Sequence, residues 1–246
     1  MKVRTLLHVV AASSALSSTQ AAESNSGTVT KTEKVAEVTR GDLQVEKLVR
    51  KNSKPMISWD LTVKETLKEI ITFGEDGKLT PKIDLQATVT VLGTGVTSGS
   101  GSSYTSYTTA GKLKFGDNSW VTVHNGNEDA VTPGKVVYQT VAKQGEPIRF
   151  QAAYYYNGWK DFRHESSDEV LTLTDGDTIP SNKPENEAVA SAEDYLKPHL
   201  DANGKISIGD YDVIYVAELT HTDKNAGGYD LQDLIILVSF SNVTSE

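Results

Sequence analysis

A chain without a single cysteine cannot form disulfides, thiolate-ligated zinc sites or a cysteine nucleophile, and it has no N-terminal cysteine to carry lipid. The absence leaves the compartment open, because a thiol-free protein suits any redox environment. Recognisable catalytic patterns are missing too. Histidines number five and are scattered, no H-E-x-x-H occurs, and "RHESSDE" has the wrong spacing for one. No G-x-S-x-G is present. "GTGVTSG" imitates a phosphate loop, but Ser and Tyr follow it instead of a helix, and no Lys is placed to reach a phosphate. A non-enzymatic role is therefore expected. A secreted glycoside or ester hydrolase stays open as an alternative, since paired carboxylates leave no sequence signature of their separation.

Long apolar runs are also scarce, and none approaches the ~20 residues of a membrane span. The N-terminus instead reads as a secretory signal peptide over residues 1–21. Lys2 and Arg4 precede an apolar stretch from Leu6 to about Leu16, and Thr19-Gln20-Ala21 offers small residues at the −3 and −1 positions of a cleavage site. A secreted or periplasmic protein is expected.

The formal charge is −9, and loss of Lys2 and Arg4 with the leader takes it to −11. Residues 161–246 hold 18 acidic and 5 basic residues, whereas residues 22–160 hold 15 and 17. Acidity thus belongs to the C-terminal third. Nucleic acid is not an expected partner of such a surface, because phosphate binding needs positive charge. Divalent cations or a basic partner fit better, with plain solubility as the other explanation.

Residues 22–55 are polar, of mixed charge and without aromatics, which reads as a disordered N-terminal segment. The folded domain is expected over 56–246. "ISWDLTVK" alternates apolar and polar residues, "LKEIITF" reads as a second strand, and "IDLQATVTVLG" alternates through Ile83, Leu85, Ala87, Val89 and Val91. "KLKF", "SWVTVH", "KVVYQTVA", "PIRFQAAYYY" and "EVLTLT" are further strands between turn clusters. Gly93 to Gly111 is low in complexity and long for a loop. "NEAVASAEDYLKPHL" breaks the pattern with Val189, Ala192 and Leu196 at helical spacing, predicting a short helix near 187–197 that ends around Pro198. "YDVIYVAEL" and "LIILVSF" are among the most apolar strands and are expected at the centre of a sheet. Short strands without βαβ alternation imply an all-β, antiparallel β-sandwich, jelly-roll or immunoglobulin-like, with a closed barrel as second choice.

The last strand pair carries the candidate site. If these strands form a hairpin, Glu218 at the end of the first meets Asp230 and Asp233 at the start of the second. Asp223 and Asn225 lie in the connecting loop and can fold back over them. Crowded carboxylates repel unless one is protonated or a cation neutralises them. Calcium takes roughly six to eight oxygens from such groups, so Ca2+ is the expected ion, with Glu218, Asp223, Asn225, Asp230 and Asp233 as its ligands. The plain alternative is solvated acids and local turn bonds. "DANGKISIGDYD" fails as an EF-hand loop because Lys205 and Ile206 stand at positions 5 and 6, so it reads as a turn. "TDGDTIP", with Asp175 and Asp177, also reads as a turn first.

"AELTHTDKNAGGYDLQDLIILVSF" resembles the C-terminal strand pair of secreted bacterial β-sandwich domains of unknown function, which end in an acidic D-x-x-D-[LM]-[VI] segment after a Gly-containing loop. Asp230 and Asp233 match the two aspartates. Leu231-Gln232 stand between them, where related segments often carry Asn or a further Asp, so one expected ligand is missing. The resemblance implies an envelope or surface protein, some members having a calcium site, and implies no chemistry.

"AAYYYNGWKDF" gathers Tyr154, Tyr155, Tyr156, Trp159 and Phe162. Alternation puts Tyr154 and Tyr156 on one face of a strand and Tyr155 on the other. Tyr155 and Trp159 are candidates for stacking on sugar rings, although large aromatics more often fill a core rim. The expected function is an exported binding or structural protein of the bacterial envelope or extracellular space, stabilised by calcium, with glycan or an envelope protein as partner. A carbohydrate-binding module is the alternative.

Overall fold

The computed structural model describes residues 67–101, 103–180 and 189–243, all within the unit Lys64–Glu246. The expected signal peptide, the polar segment 22–55 and the strand "ISWDLTVK" lie outside the described residues. In chain order come helix α1 (Leu67–Ile70) and strands β1 (Ile71–Phe73), β2 (Leu79–Pro81), β3 (Leu85–Gly93), β4 (Thr97–Ser100), β5 (Ser103–Ser106), β6 (Thr109–Phe115) and β7 (Val121–Gly126). Strands β8 (Val136–Ala142), β9 (Ile148–Tyr154), β10 (Arg163–His164) and β11 (Val170–Leu173) follow. Helix α2 (Ala192–Leu196) and strands β12 (Asp212–Ala217) and β13 (Leu234–Asn242) complete the set.

The strands build an antiparallel β-sandwich. One sheet has the order β1-β2-β9-β6-β7, with β10 also paired to β9, and the other β11-β12-β13-β3-β8. Between them lies one apolar cluster, with Leu113, Phe115, Phe150 and Ala152 from the first sheet and Leu85, Val89, Tyr215, Ile236 and Val238 from the second. Phe150 and Tyr215 stack across the interior, ring centres 4.8 Å apart and planes 5° from parallel.

Period-2 patterning explains most strands. β3 buries Leu85, Ala87, Val89 and Val91 and leaves the residues between them half-buried. Ile83, expected on the same face, precedes the strand and is exposed. β12 and β13 occupy the middle of their sheet, as their apolar runs predict. β12 after Asp212 and the first three residues of β13 are buried without alternation because the outer face is covered there as well, whereas β13 alternates beyond Ile236. Ile214, Val216 and Ile235 pack there with Leu196 of α2, Ile206, Tyr229 and Leu231 in a second apolar cluster.

Three expectations need correction. "LKEIITF" is not one strand: it begins as α1 and becomes β1 only at Ile71. The segment Gly93–Gly111 is not a structureless loop, since β4 and β5 pair within it as a separate hairpin and β6 starts at Thr109. Helix α2 starts at Ala192, later than expected. Ser191 caps it by accepting from the Asp194 N–H while the Asp194 carboxylate accepts from the Ser191 N–H, and the chain tightens into a 3-10 turn at Lys197–His199, with Pro198 in it. Among the described residues no helix is long and apolar enough to cross a membrane.

Candidate metal centre

Strand pairing creates the site. Ala217 faces Leu234 in the last rung of the β12–β13 ladder. Glu218 and Asp233 are the next residues outward, where the ladder stops. Glu218, Asp230 and Asp233 each place a carboxylate oxygen within 4.8 Å of the others, and all three residues are buried. These carboxylates stand close enough to hold a metal ion.

The acids differ in how well the protein solvates them. Glu218 is fully buried yet richly bonded. Its Oε1 accepts from the Thr220 N–H at 2.9 Å, the Thr220 hydroxyl at 2.6 Å and the His221 N–H at 2.9 Å. Its Oε2 accepts from the N–H groups of Asp230 and Leu231 at 3.1 and 3.2 Å. Burial works against its charge, but these bonds, led by the Thr220 hydroxyl, outweigh it and hold the carboxyl below its ordinary value. Asp233 has less support: its Oδ2 accepts from the Leu219 N–H at 2.6 Å and the Thr220 N–H at 3.2 Å. Burial first, and then the charge of Glu218, push its carboxyl well above the usual carboxylate range. An added cation would reverse that balance.

The segment between the two aspartates is shaped around Glu218. Leu231 is buried and adopts φ 59°, a left-handed conformation that non-glycine residues rarely take. Donation of its N–H to Glu218 helps to fix that turn. Backbone held in such a region by surrounding contacts is common where a chain positions ligands.

Asp230, Gln232 and Asp233 line a cleft of about 60 Å³ together with Gly95, Thr97 and Thr220. That volume suits a few waters, or an ion with part of its hydration, given ~10–15 Å³ per enclosed water. Gln232 is 3% exposed, and its Nε2 donates to the Gly95 carbonyl at 3.4 Å. Its Oε1 is buried without a hydrogen-bond partner. An orphaned amide oxygen beside two carboxylates is an oxygen donor of the kind calcium takes. Thr94 anchors the backbone of Asp233, its hydroxyl donating to the Asp233 carbonyl at 2.6 Å and meeting the Thr109 hydroxyl at 2.7 Å.

Of the expected ligands, Glu218, Asp230 and Asp233 are thus brought together. Asp223 and Asn225 are not. Both are exposed, and Asp223 Oδ1 accepts from the Asn225 N–H at 2.9 Å and side-chain amide at 3.2 Å in a local turn. Gln232, not among the expected ligands, stands between the two aspartates on the same cleft. "DANGK" is a turn, with Asp201 Oδ1 accepting from the N–H groups of Asn203 and Lys205. Asp177 likewise bonds back to Thr174, and Asp175 accepts from the Ile208 N–H.

The aromatic candidates lie outside the core. Tyr155, Tyr156 and Trp159 are 48%, 48% and 46% exposed. Tyr155 and Trp159 meet edge to face at 5.6 Å.

No protein-family model, no curated protein and no solved structure matches the chain.

Proposed function

We propose that this is an exported, non-enzymatic binding or structural module whose β12–β13 end is clamped by a calcium ion. The observation that carries the reading is the buried Glu218–Asp230–Asp233 group with the orphaned Gln232 oxygen on the same cleft. Asp230, Asp233 and Gln232 are the direct ligands, with water completing a set of roughly six to eight oxygens. Glu218, already bonded through both oxygens, orders the loop that presents them and adds its charge from behind.

A hydrolase fits this geometry less well. Retaining glycosidases separate their two carboxyl groups by about 5–5.5 Å and inverting ones by more. Here the acids gather within 4.8 Å, and Glu218 is not among the residues that line the cleft. Exposure of Tyr155 and Trp159 favours carbohydrate as the bound partner. Export rests on the basic-apolar-small pattern of residues 1–21.

Thermal melting in calcium and in EDTA tests the clamp. Calcium at ~100 times its dissociation constant adds about 2.7 kcal/mol, which moves the midpoint of a domain this size by roughly 5–10 °C. An unchanged midpoint rejects the cation and leaves a proton shared between Asp233 and Glu218. N-terminal sequencing of protein expressed in a bacterium tests export, with Ala22 as the expected first residue.

A further inference from the structure

The first sheet turns an unusual row of side chains away from the core. On β9, Ile148, Phe150 and Ala152 point inward, so Arg149, Gln151 and Ala153 point outward, Gln151 and Ala153 being buried there and Arg149 half-buried, and exposed Tyr155 continues that row. On β6, Leu113 and Phe115 point inward and Lys112 and Lys114 outward. Register sets Lys112 beside Gln151 and Lys114 beside Arg149. Like charges directly opposite on antiparallel strands cost stability. Arg149 is compensated by the buried Glu165 carboxylate, 3.0 Å from its Nε. Among the described residues, Lys112, Lys114 and Lys160 have no carboxylate within ion-pairing distance. Asp161 is exposed next to Lys160 in the chain.

A line of rings runs onto this row. Tyr155 meets Trp159, and Trp159 lies near-parallel to Phe162 with centroids 6.4 Å apart. Lys112 Nζ sits 4.5 Å from the Phe162 ring centre, and Lys160 Nζ is 5.2 Å from that of Tyr156. A tight turn holds the rings in place. Tyr155 and Trp159 bridge, with Asn157 at φ 52° and Gly158 at φ 118° between them. Glycine is needed at the second angle, and Asn tolerates the first. Rings fixed before contact lose little freedom on binding.

We propose that the strip from Tyr155 through Trp159 and Phe162 to Lys112, flanked by Lys114 and Lys160, binds an acidic polysaccharide. Sugar faces lie on the exposed rings, and the polymer's anionic groups meet the lysine ammonium groups beside them. Charge complementarity selects this occupant. Lysines that lack a carboxylate partner among the described residues cluster at the rings of a chain whose net charge is −9, so a neutral glycan would leave their charge uncompensated. Nucleic acid would need many more cations to offset that overall charge. The strip does not depend on the cation site.

Affinity electrophoresis of the purified protein, without added calcium, tests the assignment. Gels contain polygalacturonate, hyaluronate or heparin, with methyl-esterified polygalacturonate and single-stranded DNA as contrasts. Retardation is expected in at least one acidic polysaccharide, little in the ester, and less as salt is raised. Trp159→Ala is expected to weaken binding by roughly 10-fold, on the scale of one lost stacking contact. The double variant Lys112→Glu/Lys160→Glu is expected to abolish retardation. These substitutions lie outside the sandwich interior, and near-ultraviolet circular dichroism verifies the fold. Absence of retardation in all three acidic polymers overturns the proposal. So do equal retardation in the ester, stronger retardation in DNA, or unchanged binding by folded Trp159→Ala.

Discussion

The two sheets of the sandwich share one interior but differ in what their outer faces meet. The β11-β12-β13-β3-β8 sheet is covered on its outside by α2 and the second apolar cluster, so Ile214, Val216 and Ile235 are as buried as Val213, Tyr215 and Ile236. The β1-β2-β9-β6-β7 sheet turns Lys112, Lys114 and Arg149 outward instead. The contrast separates two jobs. The doubly buried sheet provides rigidity and ends in the buried acids, where a low-dielectric surrounding makes an unpaired charge costly. The outer face of the first sheet is covered in part, Gln151 and Ala153 being buried on it, and leaves Lys112, Lys114 and Arg149 half-buried at its surface.

Truncation on the two outer faces breaks or sustains this comparison. Leu196→Ala removes a fully buried side chain from the cover of the second sheet and is expected to cost about 2–5 kcal/mol in urea unfolding. Lys114→Ala on the other outer face is expected to change stability by less than about 0.5 kcal/mol. Similar losses for both would mean that Lys114 itself is packed as tightly as Leu196. The next largest effect concerns the acids. Asp233→Asn keeps the shape of a buried carboxyl while removing its charge, so the calcium-induced rise in midpoint, about 2.7 kcal/mol at saturation, is expected to vanish. The variant should also melt above wild type in EDTA at neutral pH. Retention of the full calcium shift would place the ion elsewhere.

A smaller effect sits in the shared interior. The Tyr215 hydroxyl is buried without a hydrogen-bond partner, while its ring stacks on Phe150. Tyr215→Phe keeps the stack and removes the orphan, so a gain of about 1 kcal/mol is expected in the same urea titration. Destabilisation would indicate that the hydroxyl has a partner. The last effect shows only at alkaline pH. Burial first raises the Tyr195 phenol, whose O–H donates to the Thr94 carbonyl at 2.8 Å, from 10.0 to about 12. Between those values the unfolded chain releases this proton and the folded chain keeps it, so stability falls as pH rises through that window. Tyr195→Phe should flatten the fall, as followed by melting at successive pH values.

Where one face met polar surroundings, strands were legible. Leu85 to Val91 alternate because β3 has one fully apolar side, and the runs in β12 and β13 signalled burial on both. The β4–β5 hairpin was not legible, because Ser, Thr and Gly carry no hydrophobic period, and its paired backbone and polar side-chain bonds leave no such signal. Glu218, Asp230 and Asp233 could be placed together because hairpin pairing follows from two adjacent apolar runs. Asp223 and Asn225 misled because a loop acid bonds its own backbone as readily as a distant ion. Gln232 escaped notice since an amide becomes informative only when its oxygen is seen to lack a partner. The exposed rings at 155, 156 and 159 ran against the usual burial of large aromatics.

Gly93 closes β3 directly beneath Tyr195. A Cβ there would lie 2.3 Å from the ring, far inside any contact that real side chains make. Natural variation at these two sites is therefore tied together. A homologue that enlarges position 93 must shrink position 195 or shift its helix, whereas one that keeps the aromatic must keep glycine. The pair therefore ties the end of β3 to the helix above it by shape alone.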